Sequence, residues 1–319
     1  MQKIWEQFHP HTNQLGRIGV GASWYILGLL VAVTIFIWYA VGWEDRAGKL
    51  MVAFLDVGQG DAIFIESPTG NQMLIDGGPN KSVLRQLGKV MPFYDRSLDM
   101  LMVSNPDKDH FAGFLDVLRR YKVALVIEPG TVGASAEYKE LERMIENKNP
   151  SSEDGALPLG KGELRKELPK RIIARRGQKI DIGGGAILEI LFPDRDVSGM
   201  ATNDGSIIAK LTYGTTSFLL TGDTTEAIEN YLATIDGKRL AVDVLKVGHH
   251  GSRTSTGVAI LGFASPTYAV ISAGKDNKYG HPHAETLDRL KQFEVEPLGT
   301  YNLGTIIIES DGEQIFVRK

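Results

Sequence analysis

The chain has 319 residues, which gives a prior of about two domains at roughly 150 residues each, with one large sandwich still allowed. Gly accounts for 36 of them, about 11% against a usual level of about 7%, and charged residues for an ordinary 23%, which describes an ordered, turn-rich protein and excludes disorder and collagen. The absence of Cys removes disulfides, cysteine metal sites and thiol nucleophiles together, and a formal net charge of −4 gives no global attraction for nucleic acid or anionic lipid.

From Ile18 to Trp43 run 26 residues without a formal charge, most apolar from Trp24 to Val41, where about 20 residues of helix suffice to cross a bilayer. The segment predicts a transmembrane helix, and Trp24 and Tyr25 at one end with Trp38, Tyr39 and Trp43 at the other resemble interfacial aromatic belts. A buried core helix is the alternative. Lys3 and Arg17 precede the segment with only Glu6 against them, whereas Glu44, Asp45, Arg46 and Lys49 balance after it. The positive-inside bias therefore makes residues 1–17 a cytoplasmic tail and places the rest outside the cell. Ala40, Val41 and Gly42 loosely fit a signal-peptidase site, but the apolar stretch exceeds the usual 7 to 15 residues, which favours an uncleaved anchor. Residues 44–50 read as a linker and 51–319 as the working domain.

In that domain Leu50 to Val57, Ala62 to Ser67 and Gln72 to Asp76 read as strands, the last two joined by a hairpin turn at Thr69, Gly70 and Asn71. Leu98 to Ser104 is a strand, Asn105 to His110 a loop, and Phe111, Phe114, Leu115 and Leu118 recur at helical spacing. Strand Tyr121 to Pro129 and a helix through Tyr138, Leu141 and Ile145 lead into Asn147 to Gly160, which reads as an insertion or mobile loop. Hairpins follow around the triple Gly turn before Ala186 and between Tyr213 and Thr216, then a helix from about Thr225 to Ile235. Strands Val242 to Val247 and Thr267 to Ser272, a helix through Leu287 and Leu290, and a hairpin turning at Asp311 and Gly312 complete the chain. Hairpins outnumber strand–helix–strand crossovers, so a layered α/β sandwich is expected, not a doubly wound sheet.

Carboxylates and imidazoles recur where these strands end. Asp107 and Asp109 alternate in an extended loop and so can converge, and His110 adds a nitrogen donor; helix capping by solvated acids is the alternative. Asp223 follows Gly222 off a buried strand, and it too could be a helix cap. His249 and His250 stand between glycines at a strand end, where surface imidazoles in a turn would be the alternative. His281 and His283 flank Pro282, which fixes the backbone locally, and a ligand, a proton donor or a plain turn all fit. Asp56 to Asp61 and Ile75 to Gly78 read singly as tight turns. Spread over roughly 200 residues of successive strand ends, the set is how an open metal site is assembled on a layered fold.

The motifs DVGQGD (Asp56 to Asp61), IDGG (Ile75 to Gly78), SNPDKDHFAG (Ser104 to Gly113), Asn203 to Ser206, LLTGD (Leu219 to Asp223), VGHHGS (Val247 to Ser252) and YGHP (Tyr279 to Pro282) follow one another in order. In these motifs the chain resembles the metallo-β-lactamase superfamily, and within it the hydrolase domains of the ComEC family of DNA-internalisation competence proteins. The resemblance covers about Met51 to Lys319 and implies a four-layer αββα sandwich, here preceded by one transmembrane helix where that family has a many-helix channel. It implies that Asp109 and His110 hold one metal, that Asp223 bridges two, and that His249 or His250 completes the second site. The first His usual in this loop is replaced by Asn105, which leaves Asp107 as the one strong donor for the other ion. The oxygen-rich donor set favours Mn²⁺ or Mg²⁺ more than a His-rich one would, with Zn²⁺ the superfamily alternative; one or two divalent ions are expected.

Such a site supports hydrolysis by an activated water. For a phosphodiester, Ser252, Asn203 and Ser206 are candidate substrate contacts, and Asp109, Lys108 and His281 candidate catalytic groups, Lys108 through the phosphate oxygens and His281 as proton donor to the leaving oxygen. Lys161, Arg165, Lys166, Lys170, Arg171, Arg175 and Arg176 are the basic patch that a negative chain would need for DNA, unless Glu163 and Glu167 make it a solvated mixed face. The expectation is a membrane-anchored, ComEC-like nuclease or phosphodiesterase acting on single-stranded DNA, with a DNA-uptake channel as a candidate partner. The alternatives are a hydrolase of small esters, thioesters or phosphoryl groups, and a non-catalytic anchored binding module.

Overall fold

The computed structural model describes residues 20–44, 48–146 and 168–318. The chain divides into two units, Met1–Asp45 and Arg46–Lys319.

In the first unit a single helix, α1, runs Val20–Glu44, 25 residues or about 37 Å at 1.5 Å per residue. Trp24, Tyr25, Ile26 and Leu27, about 100° apart around its axis, are all exposed, so no stripe is set aside for a core. The one hydroxyl in its middle, Thr34 Oγ1, donates to the carbonyl of Leu30 at 2.8 Å. Among the residues whose side chains are described, 23–39 in this helix, no helix is long and apolar enough to cross a membrane.

The second unit opens with β1 Leu50–Phe54, β2 Ile63–Glu66 and β3 Gln72–Ile75, then α2 Ser82–Val90, β4 Ser97–Met102, α3 Lys108–Phe111, α4 Phe114–Arg120, β5 Lys122–Glu128, α5 Ala136–Glu146 and β6 Lys170–Ile173. It continues with β7 Lys179–Gly183, β8 Ala186–Phe192, β9 Ile208–Tyr213, β10 Thr216–Leu220, α6 Glu226–Asp236, β11 Val244–Lys246, α7 Val258–Ala264, β12 Tyr268–Ile271, α8 Ala284–Gln292, β13 Glu296–Gly299, α9 Thr300–Leu303, β14 Ile306–Ser310 and β15 Ile315–Arg318. The expected insertion at Asn147 to Gly160 lies outside the described residues.

The strands form an eight-stranded sheet, β15-β14-β1-β2-β3-β4-β5-β6, and a seven-stranded sheet, β13-β12-β11-β10-β9-β8-β7. Alternation along β1 shows how they stack. Leu50, Val52 and Phe54 join Leu188, Ile190, Phe218 and Val270 of the other sheet in one apolar layer, while Met51 and Ala53 turn the opposite way onto Leu87 of α2 and Phe114 of α4. The seven-stranded sheet repeats this with Leu219 and Leu245 against Leu232 of α6, Leu261 of α7 and Leu290 of α8. Strands buried on both faces read as continuous apolar runs, which is why β1 and β10 carry no polar alternation. Each such side chain stabilises by about 1.5–3 kcal/mol when withdrawn from water. The result is the four-layer αββα sandwich.

Among the described strands antiparallel pairs number seven and parallel pairs six, but β1 and β14 are distant in sequence, so hairpins do not outnumber the strand–helix–strand crossovers as expected, and the parallel pairs fix the site. β3, β4 and β5 run parallel in one sheet, and β10, β11 and β12 run parallel in the other. Ile75 pairs with Met102 and Leu219 with Leu245, so neighbouring strands end level and deliver their following loops to one rim.

Candidate metal centre

Each chemical group at this rim stands in the segment that follows a strand. Asp76 leaves β3 with φ +59, and its carboxylate accepts from the Ser104 amide at 2.8 Å and the Ser104 hydroxyl at 2.5 Å, tying the ends of β3 and β4 together. The short helix α3 then sets His110 inward. A Cβ at Gly113 would stand 2.0 Å from the Gly77 carbonyl oxygen, so only Gly lets α3 and α4 lie this close to the IDGG loop. Asp223 follows the turn after β10, and His250, with φ +56, follows β11.

Asp109, His110, Asp223 and His250 present one donor atom each, all within 4.8 Å of one another. Nε2 of His110 lies 3.0 Å from Oδ2 of Asp223, and Nε2 of His250 lies 3.2 Å from Oδ2 of Asp109 and 3.5 Å from Oδ2 of Asp223. Both imidazoles are fully buried and fixed from behind. Nδ1 of His110 is 2.8 Å from Oδ2 of Asp76, and Nδ1 of His250 is 2.9 Å from the Ser272 carbonyl. An N–H on Nδ1 donating to each acceptor leaves both Nε2 lone pairs facing the cluster, the arrangement that metal-binding imidazoles adopt. Nε2 of His110 and Oδ1 of Asp223 are buried with no hydrogen-bond partner. Two carboxylates, two imidazoles and orphaned lone pairs fit a divalent cation of the Mn²⁺ or Zn²⁺ kind.

Behind the donors lies a buried ion pair. Nζ of Lys246 contacts Oδ2 of Asp61 and donates to the Gly222 carbonyl at 3.3 Å, and both side chains are 1% exposed. Oδ1 of Asp61 is 3.3 Å from Nδ1 of His250, so this pair abuts the second imidazole as well. Burial alone would raise the Asp61 carboxyl, but the Lys246 ammonium and the two imidazoles outweigh it and hold the group at about 2. Asp223 behaves likewise: against burial, His110 and His250 keep it well below the usual carboxylate range. Burial pushes both imidazoles down, yet the surrounding carboxylates lift His110 well above its ordinary value and His250 to about 10. The cluster is thus a concentrated negative field that selects positive charge, and cation binding there must displace protons.

The donors open into a cavity of about 160 Å³ lined by Gln59, Asp107, Asp109, Asp223, His249, His250, Tyr279 and His281. His249 is on its wall, with Nε2 3.8 Å from Oδ2 of Asp223, outside the donor group; of the adjacent pair, His250 is the one in the cluster. The His281 ring stacks with Tyr279 at 5.7 Å and meets His249 edge-on at 5.6 Å. Gln59 Nε2 lies 3.4 Å from His281 Nδ1, and Asn277 holds the His281 backbone from both sides. Burial and the neighbouring His250 and His283 imidazoles push His281 down to about 4.

Other candidates stand elsewhere. Lys108 points onto α5, its Nζ 2.5 Å from Oε1 of Glu137, and does not reach the cavity. Asp107 lines the cavity but its Oδ2 accepts from the Thr202 hydroxyl at 3.0 Å. Asn203 and Ser206 are bonded to Asn105, and Ser206 is fully buried, so it is closed to a substrate. Ser252 is buried against Thr254 at 2.9 Å. Of the basic patch, Lys161, Arg165 and Lys166 lie outside the described residues. Arg171 is spent on Glu128, Glu142 and Glu146, Arg176 on Asp236, and Arg175 on the carbonyls of Pro129 and Ala174. Asp61, Asp76 and Lys246, which build the support behind the donors, read in the sequence as turn or strand residues; their signal was a charged residue at the end of an apolar run.

Two facing mixed sheets between helices, with clustered carboxylates and imidazoles at the strand ends, define a metallo-hydrolase fold. Residues 55–275 match the metallo-beta-lactamase superfamily, and the chain belongs to it. Among curated proteins it is similar to ComE operon protein 3 of Bacillus subtilis (strain 168), 30% identical over 273 residues, covering 80% of this chain and 32% of that protein. Recombination protein 2 of Haemophilus influenzae is 29% identical over 244 residues, covering 75% and 26%, and competence protein ComA of Neisseria gonorrhoeae 27% over 253 residues, covering 78% and 30%. These are ComEC-family competence proteins, and the chain spans about a third or less of their length. Among solved structures the fold is similar to YhfI of Bacillus subtilis, with a TM-score of 0.50 at 13% identity, covering 82% of this chain and 100% of that one.

Proposed function

We propose that this chain is a metal-dependent phosphodiesterase that cleaves DNA. The observation that carries the reading is the donor group Asp109, His110, Asp223 and His250 at the floor of an open, His-walled cavity. The likeness to competence proteins supports DNA as the class of substrate. A bound divalent ion would supply Lewis acidity for a phosphoryl oxygen and lower the pKa of water towards 7. The chain's own residues do the rest. Asp76 and the Ser272 carbonyl hold the imidazoles in the tautomer that presents Nε2, and Lys246 holds Asp61 against His250. His249 and His281 on the wall are the groups placed to pass a proton to or from the reacting oxygens.

We infer further that the apolar N-terminal run anchors the chain in a membrane, with the N-terminus cytoplasmic and the hydrolase unit outside. The uncharged run from Ile18 to Trp43 supports this reading, at 26 residues against the about 20 that cross a bilayer. A DNA-uptake channel is the partner that this placement suits.

The test is cleavage of labelled single-stranded and duplex oligonucleotides by the full chain in detergent with Mn²⁺, beside Asp223→Asn. The reading expects cleavage that chelator abolishes and the variant lacks. Metal bound without DNA cleavage, but with turnover of a small ester or thioester, would replace DNA by those substrates, and no turnover of any would leave an anchored binding module.

A further inference from the structure

The resemblance to its superfamily leads one to expect a pair of ions sharing Asp223. We infer that this chain holds a single ion, because a self-satisfied hydrogen-bond network anchored on Asn105 occupies the place of the other; the inference rests on the metal reading of the site given above.

Asn105 follows β4 by three residues, in the loop that leads to Asp107, Asp109 and His110, and it is fully buried. Its orientation is fixed without reference to any ion. The backbone N–H of Asp107 lies 2.9 Å from Asn105 Oδ1, and a backbone amide can only donate, so the oxygen must be on that side. The Nδ2 group therefore faces the other way, donating to Asn203 Oδ1 at 2.8 Å and to Ser206 Oγ at 3.3 Å. Ser206 agrees, because its own hydroxyl proton is directed at the Thr202 carbonyl 3.5 Å away, leaving its oxygen to accept. An NH₂ group with both hydrogens engaged offers a cation no lone pair, and turning the amide over would set its donors against the Asp107 N–H.

Asp107 is then the one ionisable donor left on this side. Its Oδ2 is taken by the Thr202 hydroxyl, and a lone half-buried carboxylate does not compete with the four-donor group next to it for a divalent ion. Asn105, Asn203, Ser206, Thr202 and Asp107 close into one chain of amide, hydroxyl and carboxylate bonds, each satisfied by another of the set. Such a network is self-consistent without a cation, in contrast to the orphaned His110 Nε2 and Asp223 Oδ1 a few residues away.

With one ion, the leaving oxygen of a phosphodiester is not clamped by a second metal, so its charge must be met by a side chain of the cavity wall.

The test is metal content after equilibrium dialysis of the full chain against Mn²⁺, with electron paramagnetic resonance of the bound ion. Wild type is expected to bind one ion per chain with a mononuclear spectrum, and Asn105→His, which puts an imidazole beside Asp107, to bind two with an exchange-coupled one. Asp107→Asn keeps the Thr202 contact and is expected to retain one ion with affinity within about threefold. Two ions in wild type, one ion in a folded Asn105→His, or loss of the ion in Asp107→Asn would overturn the inference. No ion in wild type would overturn the metal reading itself, an outcome distinct from a count of two.

Discussion

Nδ1 of His110 rests 2.8 Å from Oδ2 of Asp76, a carboxylate that both the amide and the hydroxyl of Ser104 already hold in place. The imidazole is thereby aimed at the donor group by the end of the neighbouring strand. Asp76→Asn keeps the shape but weakens the acceptor, and supporting residues of this kind are typically worth 10- to 100-fold in metal affinity. Isothermal titration with Mn²⁺ should show that loss with little change in stoichiometry; an unchanged affinity would show that Asp76 serves only the fold.

The adjacent imidazoles separate by role. His250→Ala removes a donor of the cluster and should abolish tight Mn²⁺ binding. His249→Ala should bind the ion within a few-fold of wild type while losing turnover, because His249 stands on the wall 3.8 Å from Asp223 and outside the donor group. The reverse pattern in a binding titration would reassign the ligand.

Lys246 and Asp61 form an ion pair in which each side chain is 1% exposed. Removing one partner strands a buried charge, at a cost of about 3–5 kcal/mol, whereas removing both charges together is close to neutral. Urea unfolding should therefore find Lys246→Met severely destabilised and a Lys246→Met, Asp61→Asn double variant recovering more than half of the loss. Additive effects of the two substitutions would contradict a coupled pair.

Glu229 on α6 accepts from the backbone N–H groups of Thr256 and Gly257 at 2.8 Å each and so ties down the loop after VGHHGS. Burial raises its carboxyl from 4.5 to about 7, with those two bonds pulling the other way. Between these values the folded chain binds more protons than the unfolded one. The corresponding stability, on the order of 3 kcal/mol, is full below pH 4.5 and is lost as pH rises through 7. Glu229→Gln cannot titrate, so the stability of wild type relative to it should fall over that window. Parallel pH curves for the two proteins would contradict the assignment.

Much of this was legible from sequence because the information is local. A buried strand reads as an apolar run and its end as the first charged or glycine residue, which is how Asp109, His110, Asp223 and the His249–His250 pair declare themselves. What decides between His249 and His250 is backbone turn geometry at two left-handed residues, which identical side chains in sequence cannot express. For Lys108 and the Arg171–Arg176 segment the sequence left the alternatives open for a different reason. The acidic partners of Lys108, Arg171 and Arg176, which include Glu137, Glu142, Glu146 and Asp236, stand on helices remote in sequence, so these three charges are paired in a way that the local run does not express. Asn105 lay between these cases: its replacement of the usual imidazole was visible at once, but the direction of its amide required Asn203 and Ser206, about 100 residues on.

Asp109, His110, Asp223 and His250 together are the proposed divalent metal centre. Crystals of the full chain grown with Mn²⁺ and measured at the manganese absorption edge test it directly. The account predicts one strong anomalous peak per chain, bonded to Nε2 of His110, Nε2 of His250 and the carboxylates of Asp109 and Asp223. A strong peak bonded to other residues, or a saturated crystal with no peak among these four, would contradict it.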